Sequence, residues 1–215
     1  MRFRIKKTFI VFIAILLSSS VLSVGEKIND YEYSESFVIT MYSCNYLENV
    51  QEFTNHSFLI KVNSTYTTSE PSFIINNRYN YSDFSIDLDP CGYRYLNITF
   101  EVYEIVGGEY FTCDLDKDEG IGFGEILYDS YTGHWSGDDE INDDSGYGRL
   151  NGCDDGSFYD FERDFELCFS IDVIDPDNDN IPRWIEENVY FTDPFSDDSL
   201  SDQDKDDIPL FWEHK

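Results

Sequence analysis

The chain reads as all-β: an antiparallel β-sandwich followed by short loop repeats with little regular secondary structure. Three observations predict this. The middle of the chain carries short runs of Phe, Tyr, Ile and Val separated by Asn, Asp, Gly and Ser, the composition of strands and turns. No long helical period interrupts them. After Val173 one acidic pattern is written twice. The expected division is a leader over residues 1–23, a sandwich over 24–173 and tandem repeats over 174–215.

At the start, Arg2, Arg4, Lys6 and Lys7 precede an apolar run from Phe9 to Leu17, followed by small residues up to Ser23. A basic flank, a short apolar core and a Val-x-Ser site have the form of a secretory signal peptide. The run falls short of the roughly 20 apolar residues that cross a bilayer. The chain is therefore expected to be secreted or held at the cell surface, with an uncleaved anchor left open.

Strands are expected at Ser36–Tyr42, Phe58–Val62, Phe84–Leu88, Tyr95–Ile105, Phe123–Tyr128 and Phe165–Val173. Successive strand side chains alternate sides. Leu96, Ile98, Phe100 and Val102 thus share one face, as do Phe165, Leu167, Phe169, Ile171 and Val173. Half-buried strands must cover that face with a second sheet, which makes a sandwich the natural packing. With 18 Phe and 16 Tyr there is apolar surface for a core despite a formal net charge of −30. That charge repels phosphates and anionic lipid alike. No nucleic-acid partner is expected, and membrane contact only through the uncleaved anchor or a calcium bridge.

Sequons at Asn55, Asn63, Asn80 and Asn97 could carry sugar in an exported chain. Cys44, Cys91, Cys113, Cys153 and Cys168 show no Cys-x-x-Cys spacing, which argues against zinc. Export favours disulfides, and the odd count leaves one thiol over. Sequence leaves the pairing open; Cys113 with Cys153 is preferred because both flank acidic loops that a crosslink would hold together.

The first copy of the repeat runs Asp175-Pro-Asp177-Asn-Asp179-Asn180-Ile181-Pro182-Arg183-Trp184-Ile185-Glu186, and the second begins 27 residues later at Asp202. Read as a loop of twelve, each has carboxylates at positions 1, 3, 5 and 12: Asp175, Asp177, Asp179 and Glu186, then Asp202, Asp204, Asp206 and Glu213. The carbonyl of position 7, Ile181 or Ile208, completes the set by which a short loop wraps a calcium ion. Every ligand is a hard oxygen, which favours Ca2+, Mg2+ or Mn2+ over zinc or copper. Without a cation, adjacent carboxylates repel by about 4 kcal/mol per pair at an effective dielectric of about 20. The loops are therefore expected to be ordered by the ion. A solvated acidic tail is the alternative, but Ile-Pro and the aromatic residues ahead of each Glu recur with the spacing.

Asp-x-Asp-x-Asp-x-Ile-Pro followed by Glu resembles the calcium repeats of thrombospondin type 3 modules and their prokaryotic relatives and, more distantly, EF-hand and dockerin loops. The resemblance covers residues 175–215. Position 6, commonly Gly, is Asn180 or Asp207, which tolerate a left-handed backbone. Position 9, often Asp, is Arg183 or Leu210, and position 8 is Pro182 or Pro209, where an EF-hand has an aliphatic residue that pairs with its partner loop. The resemblance implies weak structural sites, with Trp184, Phe211 and Trp212 packing each following turn on its neighbour.

A further acidic constellation, Asp114, Asp116, Asp118 and Glu125, again occupies positions 1, 3, 5 and 12, and Asp138-Asp139-Glu140, Asp143-Asp144 and Asp154-Asp155 follow it. Gathered at one end of the sandwich, these would form a calcium cluster resembling that of a C2 domain. Turn-forming Asp and Gly are the alternative.

Enzymatic chemistry finds no support. His56, His134 and His214 are scattered, and no Gly-x-Ser-x-Gly, His-Glu-x-x-His or phosphate-cradling loop occurs. The paired carboxylates of a glycosidase are accounted for by loop spacing, so no catalytic residue is assigned. The expectation is a calcium-binding structural or interaction protein whose repeats substitute ion coordination for apolar burial. They would act as a spacer or contact module toward a cell-surface protein or glycan. The alternative is calcium-dependent binding of carbohydrate or lipid by the sandwich, with Tyr131, Trp135 and Tyr147 as rings placed to stack on a sugar. The stretch from Asp114 to Asp155 has few bases, which puts sugar ahead of lipid.

Overall fold

A computed structural model describes residues 35–47, 57–65, 72–75, 79–80, 84–118, 122–141, 146–155 and 163–214. The expected leader and Asn55 lie outside them. The strands are β1 (Phe37–Tyr46), β2 (Ser57–Ser64), β3 (Ser72–Ile75), β4 (Tyr79–Asn80), β5 (Phe84–Leu88), β6 (Tyr95–Val106), β7 (Glu109–Cys113), β8 (Phe123–Asp129), β9 (Trp135–Gly137), β10 (Tyr147–Asn151) and β11 (Phe165–Val173). They pair antiparallel into two sheets. One runs β10-β11-β1, with β4 and β5 along the free edge of β1. The other runs β3-β2-β6-β8-β9, with β7 beyond β8 on the same edge of β6.

The inner faces are the alternating apolar sets read from the sequence. Leu96, Ile98, Phe100 and Val102 of β6 and Phe165, Leu167 and Phe169 of β11 are fully buried. Rings meet across the sandwich: Phe37 and Tyr128 at 4.3 Å, Phe100 and Phe169 at 4.9 Å, Phe58 and Phe165 at 5.3 Å between centroids.

Elements that the sequence hid have local causes. β1 carries a bulge between Met41 and Ser43. Inward residues therefore run Phe37, Ile39, Met41 and then Cys44, Tyr46, so the alternation breaks where the expected strand ended. β7 folds back on β6 through Gly107 (φ 62°) and Gly108 (φ 92°), a two-residue turn that needs positive φ twice. β10 lies in a stretch that reads as acidic loop. Its Gly148 passes under the Phe169 ring, where a Cβ would come within 2.2 Å, an approach only glycine permits.

The expected Cys113–Cys153 crosslink is not formed, and none of the five cysteines is in a disulfide. Cys113 points from the end of β7 into the core, whereas Cys153 sits in the 3-10 turn Gly152–Asp155 and donates its S–H to Asp164 Oδ2 at 3.4 Å. Of the sequons, Asn97 is exposed on β6, Asn63 is half-buried on β2, and Asn80 lies in β4.

The tail leaves the sandwich where β1 enters it. Phe37 pairs with Val173, and Ile174 N–H donates to the Ser36 carbonyl at 2.7 Å. Beyond it, α1 (Arg183–Ile185) runs into a π-helical turn (Glu186–Tyr190), and α2 (Leu210–His214) follows the second loop. Ile181, Ile185 and Leu210 form a small core with Trp184 and Tyr190 against it, so the two copies of the repeat share one apolar centre. The tail also folds back on the β8–β9 turn. Trp184 stacks on Tyr131 at 6.0 Å, and His134 Nε2–H donates to the His214 carbonyl at 2.8 Å.

Candidate metal centres

In both tail loops the first Asp is the hub. Asp175 accepts N–H from Asn178 and, at 2.8 Å, from Asn180; Asp202 accepts from Lys205 at 2.6 Å and Asp207 at 3.0 Å. Asp179 accepts Ile181 N–H, and Asp206 accepts Ile208 N–H, each at 2.8 Å. These turns require left-handed backbone at positions 4 and 6, found at Asn178 (φ 65°), Asn180 (63°), Lys205 (68°) and Asp207 (71°). Asn and Asp accept that region more readily than Lys does.

Pro182 and Pro209 then start a helical turn. Glu186 N–H donates to the Pro182 carbonyl at 3.1 Å, and Glu213 N–H to Pro209 at 3.2 Å. Helical side chains tilt toward the N-terminus, which turns position 12 toward its loop. Asp175, Asp177 and Asp179 bring carboxylate oxygens within 4.8 Å of one another, as do Asp202, Asp204 and Asp206, while Glu186 and Glu213 stand outside these groups. Among the described residues these are the two such groups.

The first loop is the more enclosed. Asp175 and Asp179 are buried and Glu186 is 0 % exposed. Glu186 Oε1 accepts from the Thr192 hydroxyl at 3.4 Å, but Glu186 Oε2 and Asp177 Oδ2 are buried with no hydrogen-bond partner. Burial pushes the Glu186 carboxyl up to about 8, helped by the charges of Asp179, Asp177, Asp175 and Glu35. Burial raises Asp175 to about 6 despite the N–H groups of Asn178 and Asn180, and raises Asp179 as well. Buried carboxylate oxygens without partners must take up protons or meet a cation. With oxygen donors alone, Asp175, Asp177, Asp179, Glu186 and the Ile181 carbonyl fit Ca2+. The ion would supply the positive charge that this set lacks.

Glu35 escaped the sequence reading. Its Oε2 accepts Arg183 N–H at 2.9 Å across 148 residues of chain, while Oε1 is buried and unpartnered. Burial raises this carboxyl to about 7, opposed by the Arg183 N–H and reinforced by Asp175. Nothing local in the sequence marks it, since it is placed by the pairing of β1 with β11.

The second loop has the same hydrogen bonds in a wetter setting. Asp204, Asp206 and Glu213 are exposed, and Ile208 is 44 % exposed where its counterpart Ile181 is fully buried. Lost hydration and the charges of Asp204, Asp206 and Asp202 raise the Glu213 carboxyl.

The expected third loop is described only in part, since residues 119–121 lie outside the described residues. Asp114, Asp116 and Asp118 form no convergent group. Lys117, at position 4, lacks the left-handed backbone of Asn178 and Lys205. The chain instead leaves β7 with Asp114 bridged to Asp164, and each Asp caps the next turn: Asp116 N–H to Asp114 at 3.0 Å, Asp118 N–H to Asp116 at 2.6 Å. Asp116, Asp118, Glu125 and Asp138 line an open cleft of about 350 Å³, where Lys117 pairs with Asp138 at 3.2 Å and Glu125 N–H donates to Asp138 at 2.9 Å. Asp139 accepts from Trp135 Nε1 at 2.9 Å and from the N–H groups of Ile141 and Arg149, which is a structural use.

The three rings considered for sugar stacking are placed differently from one another. Tyr131 is buried on Trp184, with the Arg94 guanidinium 5.0 Å from its centroid. Trp135 packs on Phe169 at 5.7 Å. Tyr147 is 54 % exposed, edge-on to Tyr42 at 5.7 Å.

The geometry defines a class: an antiparallel β-sandwich carrying twin acidic loops able to hold a metal ion. No family model matches the chain, and no curated protein matches it. Among solved structures it is similar to a C2 domain of a plant extended synaptotagmin 1, with 10% sequence identity and a TM-score of 0.35 over 64% of this chain and 94% of that one.

Proposed function

We propose that the protein is a secreted or cell-surface calcium-binding protein without catalytic activity, whose tail repeats are structural sites of the thrombospondin type 3 kind. The observation that carries this is the first loop. It gathers three Asp oxygens within 4.8 Å and leaves the buried Glu186 Oε2 without a partner. The second loop repeats the same backbone turns, which supports a common ligand. Calcium would tighten a tail that shares a small apolar core and leans on the β8–β9 turn, so the repeats act as a contact module continuous with the sandwich. The leader-like residues 1–23 support export.

Calcium titration of the mature chain by calorimetry, with thermal melts in calcium and in chelator, tests the reading. Saturable binding and a higher melting temperature in calcium are expected. No binding heat and superimposable melts would overturn it. Calcium-dependent glycan binding stands as a second reading on exposed Tyr147; a glycan array whose signal vanishes with chelator and with Tyr147→Ala would support it.

A further inference from the structure

We propose that Glu35, from the segment entering β1, is a ligand of the first calcium site, so that a single cation ties the start of the sandwich to the tail. The proposal rests on the calcium reading of that loop and extends it to a residue outside the repeat.

Three observations carry it. First, strand register places Glu35: Phe37 pairs with Val173 and Ser36 accepts the Ile174 N–H. One further antiparallel step sets Glu35 opposite Asp175, position 1 of the loop. Second, the loop lacks a ligand at position 9, where a twelve-residue calcium loop ordinarily contributes one, often through water. Arg183 stands there, and its N–H holds Glu35 Oε2 at 2.9 Å. A carboxylate from elsewhere in the chain thus occupies the neighbourhood of the missing ligand. Third, Glu35 Oε1, Asp177 Oδ2 and Glu186 Oε2 are all buried oxygens without hydrogen-bond partners. Glu186 itself has no exposed surface. The charges of these carboxylates act on one another; the two glutamates stand outside the Asp175, Asp177 and Asp179 group, and a cation taking six to eight oxygen ligands would draw them onto it. The Arg183 guanidinium pairs with Glu187 at 2.8 Å, and its charge offsets that of Glu35 less than burial raises it. Among the described residues no such carboxylate is seen at the second loop, whose position 9 is the buried Leu210.

The test compares full-length mature wild type with Glu35→Gln, which keeps an acceptor for the Arg183 N–H but removes the charge. Calcium binding is read by calorimetry, and amide hydrogen exchange is followed at residues 36–38 and 181–186. In the wild type, calcium should protect both segments. In Glu35→Gln one site should weaken about tenfold or more while the other is unchanged, and calcium should no longer protect residues 36–38. Wild-type affinity and exchange in Glu35→Gln would overturn the proposal and leave the calcium reading intact; absence of calcium binding in the wild type would overturn both. Should Glu35→Gln not fold, Glu35→Asp, which retains the charge but shortens its reach, must show the same selective weakening. Wild-type affinity there would equally sink the idea.

Discussion

The first and second tail loops share their carboxylate spacing, their left-handed positions and their backbone turns, yet they differ in almost everything around them. Ile181 is buried in the core it shares with Ile185 and Leu210, while Ile208 faces solvent. Glu186 is sealed in and Glu213 is exposed. Glu35, 148 residues earlier in the chain, meets the Arg183 N–H of the first repeat. A metal-binding pattern is thus set by local spacing, whereas the strength of the site depends on how much of the protein closes over it.

Exchanging the position-7 residues should expose the difference most strongly. Ile181→Ala should cost about 2–4 kcal/mol, by loss of burial and the cavity left behind. Ile208→Ala should cost about 0.5 kcal/mol or less, as surface changes do. Urea melts of the two variants in calcium check this; equal losses would erase the distinction between the loops.

Position 12 should give the next largest effect, and its sign should depend on calcium. At about 1 mM calcium, a site with a dissociation constant of about 0.1 mM adds roughly 1.4 kcal/mol, or about 3–6 °C for a chain of this size. Glu186→Gln should lose that increment. In chelator the same variant should melt higher than wild type, because the cost of protonating or burying that carboxylate is gone. Glu213→Gln should change the chelator melt little.

The pH dependence sharpens the comparison further. In the folded chain Glu186, Glu35 and Asp175 titrate near 8, 7 and 6, above their unfolded values of about 4. Their contribution is therefore full below about pH 4 and lost as the pH climbs through 6 to 8. In chelator the melting temperature should fall between pH 5 and 8, and Glu186→Gln should remove much of that slope. Calcium, which favours the ionised carboxylates, should flatten it. Melts in chelator that are level across this range would contradict the enclosed first site.

The smallest effect is expected where a third loop was read. Asp114→Asn with Asp116→Asn should leave the number of bound calcium ions unchanged by calorimetry, because those carboxylates do not converge. Loss of an ion would restore the third loop as a site.

Much of this molecule was legible in short stretches. The inward sets of β6 and β11 follow from alternation, and the tail loops follow from carboxylate spacing with Ile-Pro at one offset. The misses share a cause. β10 and the bulge of β1 depend on how a neighbouring strand lies against them, as the Phe169 ring over Gly148 shows. The same acidic spacing at Asp114 gives no such carboxylate group among the described residues, where Asp114 is bridged to Asp164. The preferred Cys113–Cys153 pair fails for a similar reason, with one thiol in the core and the other on Asp164.

Residue order alone settled what depends on neighbours a few positions away: strand faces, the two Asp triplets of the tail, and the helical turn that follows each loop. Tertiary structure decided which loop is enclosed and which far-off carboxylate meets Arg183 beside it. The physical reason is range. Side-chain alternation and loop closure act over a few residues, whereas burial, desolvation and the meeting of Glu35 with Arg183 arise from pairing between the first and last strands of the sandwich.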